Sequence, residues 1–184
     1  NEINITWALS SGIKRSQHIV RMYGYVLNGS MPKYLVLEYC NSGSLHSFLK
    51  KPQNPMTQAR ALHFIKNIAS GMAYIHHNGY IHRDLACRNV LLTKYQKNKL
   101  LAKIGDFGLS RPKEKISSSQ EYAYVETQQI PIPIRWTSLP AISGTYSEKS
   151  DLWAFGITIC ELYMRGELPY SKTKNQNNTL ISSN

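Results

Sequence analysis

The chain has 184 residues, 42% of them hydrophobic and 10% aromatic. That is enough apolar side chain for a core of roughly one domain, so wholesale disorder is excluded. Lys and Arg number 22 against 11 Asp and Glu, a formal charge of +11, but the cations come singly or in pairs, and no basic stripe interleaved with aromatics marks a nucleic-acid partner. The charge reads as a solvated surface, one suited to acidic peptides.

The 3 cysteines form no CxxC pair, so neither a disulfide framework nor a zinc site is signalled and a reducing compartment is expected. No secretory signal opens the sequence. The longest apolar stretch, 152–164, contains Glu161 and falls short of the ~20 apolar residues that a bilayer span needs.

In chain order, residues 2–9 can end a helix that Ser10-Ser11-Gly12 breaks. Tyr34–Tyr39 reads as a short strand closed by the turn signal Asn41-Ser42-Gly43. Pro55–His77 is the clearest helix. Thr57 can cap it, and Ala61, Ile65, Ile68, Met72 and Ile75 recur every three or four residues on one apolar face. Asn78-Gly79 ends it. Asn89–Leu92 and Leu100–Ile104 then predict a hairpin across the polar turn Lys94–Lys99. Ser110–Pro133 is polar, with Ser117–Ser119 in its middle, and reads as a long loop. A second helix, Ser150–Met164, is apolar nearly all round and is expected to be buried. After Tyr170 no periodicity remains, and no internal repeat is present.

The chemistry concentrates around the hairpin. His82-Arg83-Asp84-Leu85 precedes it with Asn89 close behind, and Asp106-Phe107-Gly108 follows directly on its second strand. Two carboxylates and an amide on a rigid base suit phosphoryl transfer. One carboxylate takes the proton of the incoming hydroxyl, while oxygen ligands hold a divalent cation on nucleotide phosphates. Taken singly, each motif has a plainer reading: Asp84 as a turn cap, His82 as a core histidine, Asp106-Phe-Gly as a common strand-to-turn sequence. Together and in this order they are hard to produce by chance.

H-R-D-L-x-x-x-N followed by strand, turn, strand and D-F-G is the signature set of the protein-kinase family. Residues 15–171 resemble a protein tyrosine kinase catalytic domain, incomplete at both ends. The subclass rests on His82-Arg-Asp-Leu-Ala-Cys-Arg-Asn89, similar to the pattern HRDLAxRN, and on Pro133-Ile-Arg-Trp136, which looks like the loop that docks a substrate tyrosine. Serine/threonine kinases usually carry Lys where this chain has Ala86.

The resemblance implies an α+β, two-lobe kinase-like fold. Residues 1–37 are then a remnant of the small lobe, 38–43 the hinge, 44–171 the helical large lobe and 172–184 a polar tail. It implies Asp84 as catalytic base, Arg88 as orienting cation, and Asn89 and Asp106 as ligands of Mg²⁺ or Mn²⁺. ATP would sit on the hinge at Glu38 and Cys40, above Leu91, with Leu37 controlling the deeper pocket. Phe107 and His82 would stack with Met22. Tyr124, and second to it Tyr122, would be autophosphorylated and pair with Arg83, unless both only pack on a loop surface. Asp151 would hold the His82-Arg83 backbone, or simply favour a helix N-terminus. Protein substrates bearing tyrosine, and no nucleic acid, are the implied partners, in the cytoplasm or on the cytoplasmic side of a membrane.

Three departures stand out. No glycine-rich phosphate-covering loop or strand Lys occurs in the sequence, so residues 1–184 alone are expected to be inactive, with Glu2 a tolerable match for the helix Glu that pairs such a Lys. Pro140 stands where the family ends its segment Ala-Pro-Glu. After Ser171 the remaining helices of the lobe are replaced by the tail. An active tyrosine kinase, a pseudokinase acting as a binding module, and a serine/threonine kinase all remain open at this point.

Overall fold

The computed structural model describes residues 2–11, 15–29, 31–95, 99–115, 122–128 and 130–171. Residues 96–98 of the Lys94–Lys99 turn, Ser117–Ser119 and the tail from residue 172 therefore lie outside the described residues.

Helix α1 (Glu2–Ser10) packs on the antiparallel pair β1 (Met22–Asn28) and β2 (Met31–Leu37). The chain then turns through α2 (Leu45–Leu49) into the long α3 (Gln58–His77). Thr57 caps α3 as its sequence predicts, its hydroxyl accepting the Arg60 amide N–H. The buried face of α3 is Ala61, Phe64, Ile68, Met72 and Ile75. Phe64 takes the centre, and Ile65 lies at the margin rather than in the row. Gly71 lets α3 approach closely: a Cβ there would lie 2.8 Å from Ile104 Cδ1 and 3.0 Å from the His18 carbonyl.

After β3 (Tyr80–Ile81) comes a loop ending in a 3₁₀ turn, Cys87–Asn89, and then the expected hairpin. It consists of β4 (Val90–Tyr95) and β5 (Lys99–Ile104), paired from Val90↔Ile104 to Tyr95↔Lys99. The hairpin is clamped on both edges. Val20 N–H donates to the Ile104 carbonyl at 2.9 Å, and Ser42 N–H to the Leu92 carbonyl at 3.0 Å. Its buried residues join those of α1, α2 and α3 in one core.

Two expectations need correction. The stretch after Ser110 is more than a loop: β6 (Arg111–Pro112) pairs with β3, and β7 (Glu114–Lys115), β8 (Tyr122–Val125) and β9 (Thr145–Tyr146) form a small antiparallel sheet. These strands are too short for a periodicity signal, and long-range partners make them. Between them lie a 3₁₀ turn, Ile134–Trp136, and α4 (Leu139–Ile142).

The second correction concerns α5 (Glu148–Tyr163), which is not buried all round. Leu152 and Trp153 are 65% and 48% exposed, while Asp151, Thr158 and Glu161 are 1–2% exposed. The helix turns its polar residues inward because they bind backbone groups of the loop that carries Asp84.

Candidate active site

The loop after β3 cannot hold itself, since its backbone donors find no ladder. Helix α5 supplies the partners. Asp151 accepts the amide N–H groups of His82 (2.8 Å) and Arg83 (2.9 Å), and His76 Nε2 lies 2.8 Å from the same carboxylate. Thr158 Oγ1 donates to the Ala154 carbonyl at 2.8 Å and contacts the Leu85 carbonyl at 3.3 Å, while Glu161 accepts the Cys87 amide at 3.0 Å. Arg83 adopts φ +72° and Asp106 φ +60°. Such left-handed conformations in residues other than glycine persist only where the surroundings impose them, and they cluster at working sites.

Asp84 stands at the mouth of this loop. Its amide donates to His82 Nδ1 at 3.2 Å, so the ring proton is on Nε2, which donates to the Gly105 carbonyl at 3.2 Å. Asn89 Nδ2 donates to both the Asp84 carbonyl and Oδ2 at 2.8 Å, and Arg88 Nη2 pairs with Asp84 Oδ1. The Arg88 guanidinium also lies over the Trp136 ring, 4.6 Å from its centroid. Burial is the strongest influence on the Asp84 carboxyl and raises its pKa above the ordinary carboxylate value. Arg88 and the Asn89 amide pull the other way, and the nearby Asp106 charge adds to the rise.

The residues suit a nucleotide with a divalent cation. Both amide protons of Asn89 are spent on Asp84, leaving its amide oxygen free among the described residues, and Asp106 carries no ion pair there. One carboxylate plus neutral oxygen donors beside phosphates is a set that Mg²⁺ accepts. On the hinge, the Cys40 N–H and the Glu38 carbonyl make no hydrogen bond among the described residues, a free donor and acceptor of the kind an adenine edge needs. Leu91 is half-buried beside Gly105. The Glu38 side chain ties the hinge to β5, since its carboxylate accepts the Arg21 amide and lies 2.7 Å from Lys103 Nζ.

The remaining candidate residues fall in two groups. His82 and Phe107 meet edge to face at 5.4 Å, both buried, and Met22 is buried at the start of β1. A Cβ on Gly108 would lie 3.7 Å from Glu2 Oε2, so the Glu2 carboxylate faces the Asp106–Gly108 turn. Arg83 does not wait free for a phosphate. It pairs with Glu126 at 2.9 Å, with Tyr146 and Tyr124 rings 4.0 and 4.9 Å from its guanidinium carbon. Its Nε and Nη1 are buried without a hydrogen-bond partner among the described residues. Tyr122 is 53% exposed, near Lys113.

The family model for protein tyrosine and serine/threonine kinases matches residues 8–183. The chain belongs to the protein kinase family. The chain is 41% identical over 160 residues to ephrin type-A receptor 5 of Gallus gallus, covering 86% of this chain and 15% of that protein. It is 40% identical over 167 residues to ephrin type-A receptor 8 of Rattus norvegicus, covering 90% and 42%. With ephrin type-A receptor 6 of Homo sapiens it shares 42% over 146 residues, covering 79% and 13%. The chain thus spans less than half the length of each. The kinase-like α+β fold expected from the motifs is the one found, and use of ATP with a divalent metal follows from the family at that general level. Among the described residues no helix is long and apolar enough to cross a membrane.

The sequence reading missed Thr158, Glu161, Glu126 and His46, whose Nδ1 lies 3.2 Å from Glu161. The signal was present for two of them. Asp151, Thr158 and Glu161 are polar residues at helical spacing inside an otherwise apolar helix, a pattern that marks one wet or partnered face.

Proposed function

We propose that the chain carries the transfer machinery of a protein tyrosine kinase, in which the γ-phosphoryl group of ATP passes to tyrosine hydroxyls of protein substrates. The observation that carries this reading is the Asp84 carboxylate held by Asn89 on one oxygen and Arg88 on the other, with Arg88 lying over Trp136. Asp84 is the base that accepts the hydroxyl proton. Arg88, four residues on, orients the substrate ring beside Trp136 and offsets the charge that develops. That placement supports tyrosine over serine or threonine, as does 40–42% identity to the receptors named above.

ATP bound with Mg²⁺ or Mn²⁺ supplies the transferable group. Asn89 and Asp106 would hold the cation, the Glu38–Cys40 backbone the adenine, and Leu91 the face beneath it. Positioning and charge stabilisation account for most of the catalysis in such sites. Residues 1–37 read as the end of a small lobe, 38–43 as hinge, 44–171 as large lobe and 172–184 as a tail. Glu2 would be the helix partner of a strand Lys. Residues 1–184 contain no glycine-rich phosphate-covering loop, so by themselves they are expected to be inactive. Tyr124, and second to it Tyr122, is the phosphate acceptor that regulates the segment through Arg83, with Phe107 marking the active arrangement. The site works in the cytoplasm or on the cytoplasmic face of a membrane.

The test is phosphoamino-acid analysis of a protein substrate after incubation with the longer protein and MgATP. Phosphotyrosine that disappears with Asp84→Asn supports the reading. Phosphoserine alone moves the chain to the other subclass, and nucleotide binding without any transfer makes it a binding module.

A further inference from the structure

The β4–β5 hairpin reaches the Asp84 loop and Asp106 with one end only. Its other end closes a groove of about 890 Å³ against the turn after α2 and the first turns of α3, a volume in the upper range of ligand pockets. Lys51, Arg60, Lys94 and Lys99 line the groove with His63. Among the described residues no acidic side chain does.

Five cations outside the groove pair with carboxylates: Lys50 with Glu167, Lys103 with Glu38, Lys113 with Glu148, Arg83 with Glu126 and Arg88 with Asp84. Arg111, Arg135 and Arg165 bond backbone carbonyls. What distinguishes the groove is that four cations share one cleft. The four groove cations have no ion pair among the described residues. Arg60 donates to the Pro55 carbonyl and leans on Phe48, and His63 Nε2 bonds the Leu100 carbonyl at 2.8 Å. A cleft lined by one sign of charge raises the local concentration of an oppositely charged partner.

The floor decides the class of partner. A single-stranded nucleic acid needs open aromatic faces on which bases stack. Phe48 and Phe64 instead pack edge to face on each other at 5.9 Å and are 8% and 1% exposed. We infer that this groove docks an acidic peptide segment of a protein substrate, at a place separate from the tyrosine-accepting centre. The inference rests on the kinase reading for its consequence, since docking there lowers KM without touching the transfer step.

Geometry sets the spacing. Strand β4 has 6 residues and spans about 17 Å from its Asp84 end to its groove end. A docked substrate therefore needs at least about six extended residues between its acidic cluster and its tyrosine.

Fluorescence anisotropy of a labelled Glu-Glu-Asp-Leu-Glu-Glu peptide with the full chain tests this. The wild type binds it, more tightly at low ionic strength. Lys94→Glu with Lys99→Glu weakens binding about tenfold or more, and Lys94→Gln with Lys99→Gln, which adds no repulsion, weakens it by a smaller factor. In the longer protein the same pairs raise KM for a substrate carrying the acidic cluster and leave kcat unchanged. Equal affinity of wild type and both variants overturns the inference, as does an oligo(dT) that displaces the peptide and shows the same dependence on Lys94 and Lys99. Peptide binding involves no transfer. Docking without phosphotyrosine in any assay therefore refutes the kinase reading alone, and phosphotyrosine without groove-dependent binding refutes the docking alone.

Discussion

The indole N–H of Trp136 donates to Glu161 Oε2 at 3.1 Å, and the same oxygen accepts the Cys87 amide at 3.0 Å. One buried carboxylate on α5 thus joins the Ile134–Trp136 turn to the loop that carries Asp84. Glu161→Ala leaves three donors unanswered, that of His46 included, and is expected to cost about 3–5 kcal/mol. Glu161→Gln keeps an acceptor and is expected to cost only about 1–2 kcal/mol. Thermal unfolding of the two variants checks the difference. Equal melting points would show that the carboxylate is not the tie.

Asp84→Asn separates chemistry from binding. Transfer in the longer protein is expected to fall 10²-fold or more, the scale of a positioned acid–base group, while nucleotide affinity stays within a few-fold. Single-turnover rates and nucleotide titration read the two quantities independently. Wild-type turnover in the variant would move the base to another residue.

The raised pKa of Asp84 has consequences for activity and for stability. The base must be ionised to act, so the acid limb of the kcat profile is expected above the ordinary Asp value of about 3.9. For stability the sign is that of a raised group: the folded state binds this proton more tightly than the unfolded chain, and that contribution is lost as pH rises through the raised value. Asp84→Asn is therefore expected to melt higher than wild type at neutral pH, with the gap closing in acid. A lower melting point at neutral pH would mean that the pairing with Arg88 outweighs burial.

Tyr124→Phe is expected to blunt autoactivation, read as a lost lag in progress curves. An unchanged lag transfers the role to Tyr122 or removes it. Glu126→Gln, which unpairs the buried Arg83 guanidinium, is expected to destabilise the segment by about 3–5 kcal/mol, and limited proteolysis across residues 111–128 reads this directly.

Cysteine reactivity is a simple check on packing. Burial, and then the Glu161 carboxylate, push the Cys87 thiol upward, while Cys160 is exposed on α5. Iodoacetamide on the native 184-residue chain is expected to label Cys160 first and Cys87 only on unfolding. Early labelling of Cys87, seen by peptide mass spectrometry, would contradict the packing of the loop under Thr158.

Much of this architecture was legible in the sequence where local rules govern. Thr57 caps α3 because its hydroxyl reaches a nearby amide, and the 90–104 hairpin follows from two apolar runs around a polar turn. The His82–Asn89 and Asp106–Gly108 motifs were readable because, in this order, they form the signature set of the protein-kinase family. What escaped reading depends on partners far along the chain. Strand β8 exists because Thr145-Tyr146 lies beside it, and α5 turns Glu161 inward only because a loop 74 residues earlier needs an acceptor. The inward role of Asp151 was implied by the family resemblance, not by the local pattern. Pro140 departs from the family segment without breaking the local fold. It falls in the first turn of α4, where a missing N–H is tolerated.

The two Arg83 nitrogens without a hydrogen-bond partner among the described residues change what a phosphate on the segment would have to accomplish. Leaving a buried donor unmade costs about 1–3 kcal/mol for each group, and the folded chain carries that deficit while Tyr124 and Tyr146 cover the guanidinium. An anion arriving there adds charge and also discharges a debt already held in the fold. On the proposed regulation, the unmodified segment is expected to be less stable than one in which an anion meets those donors.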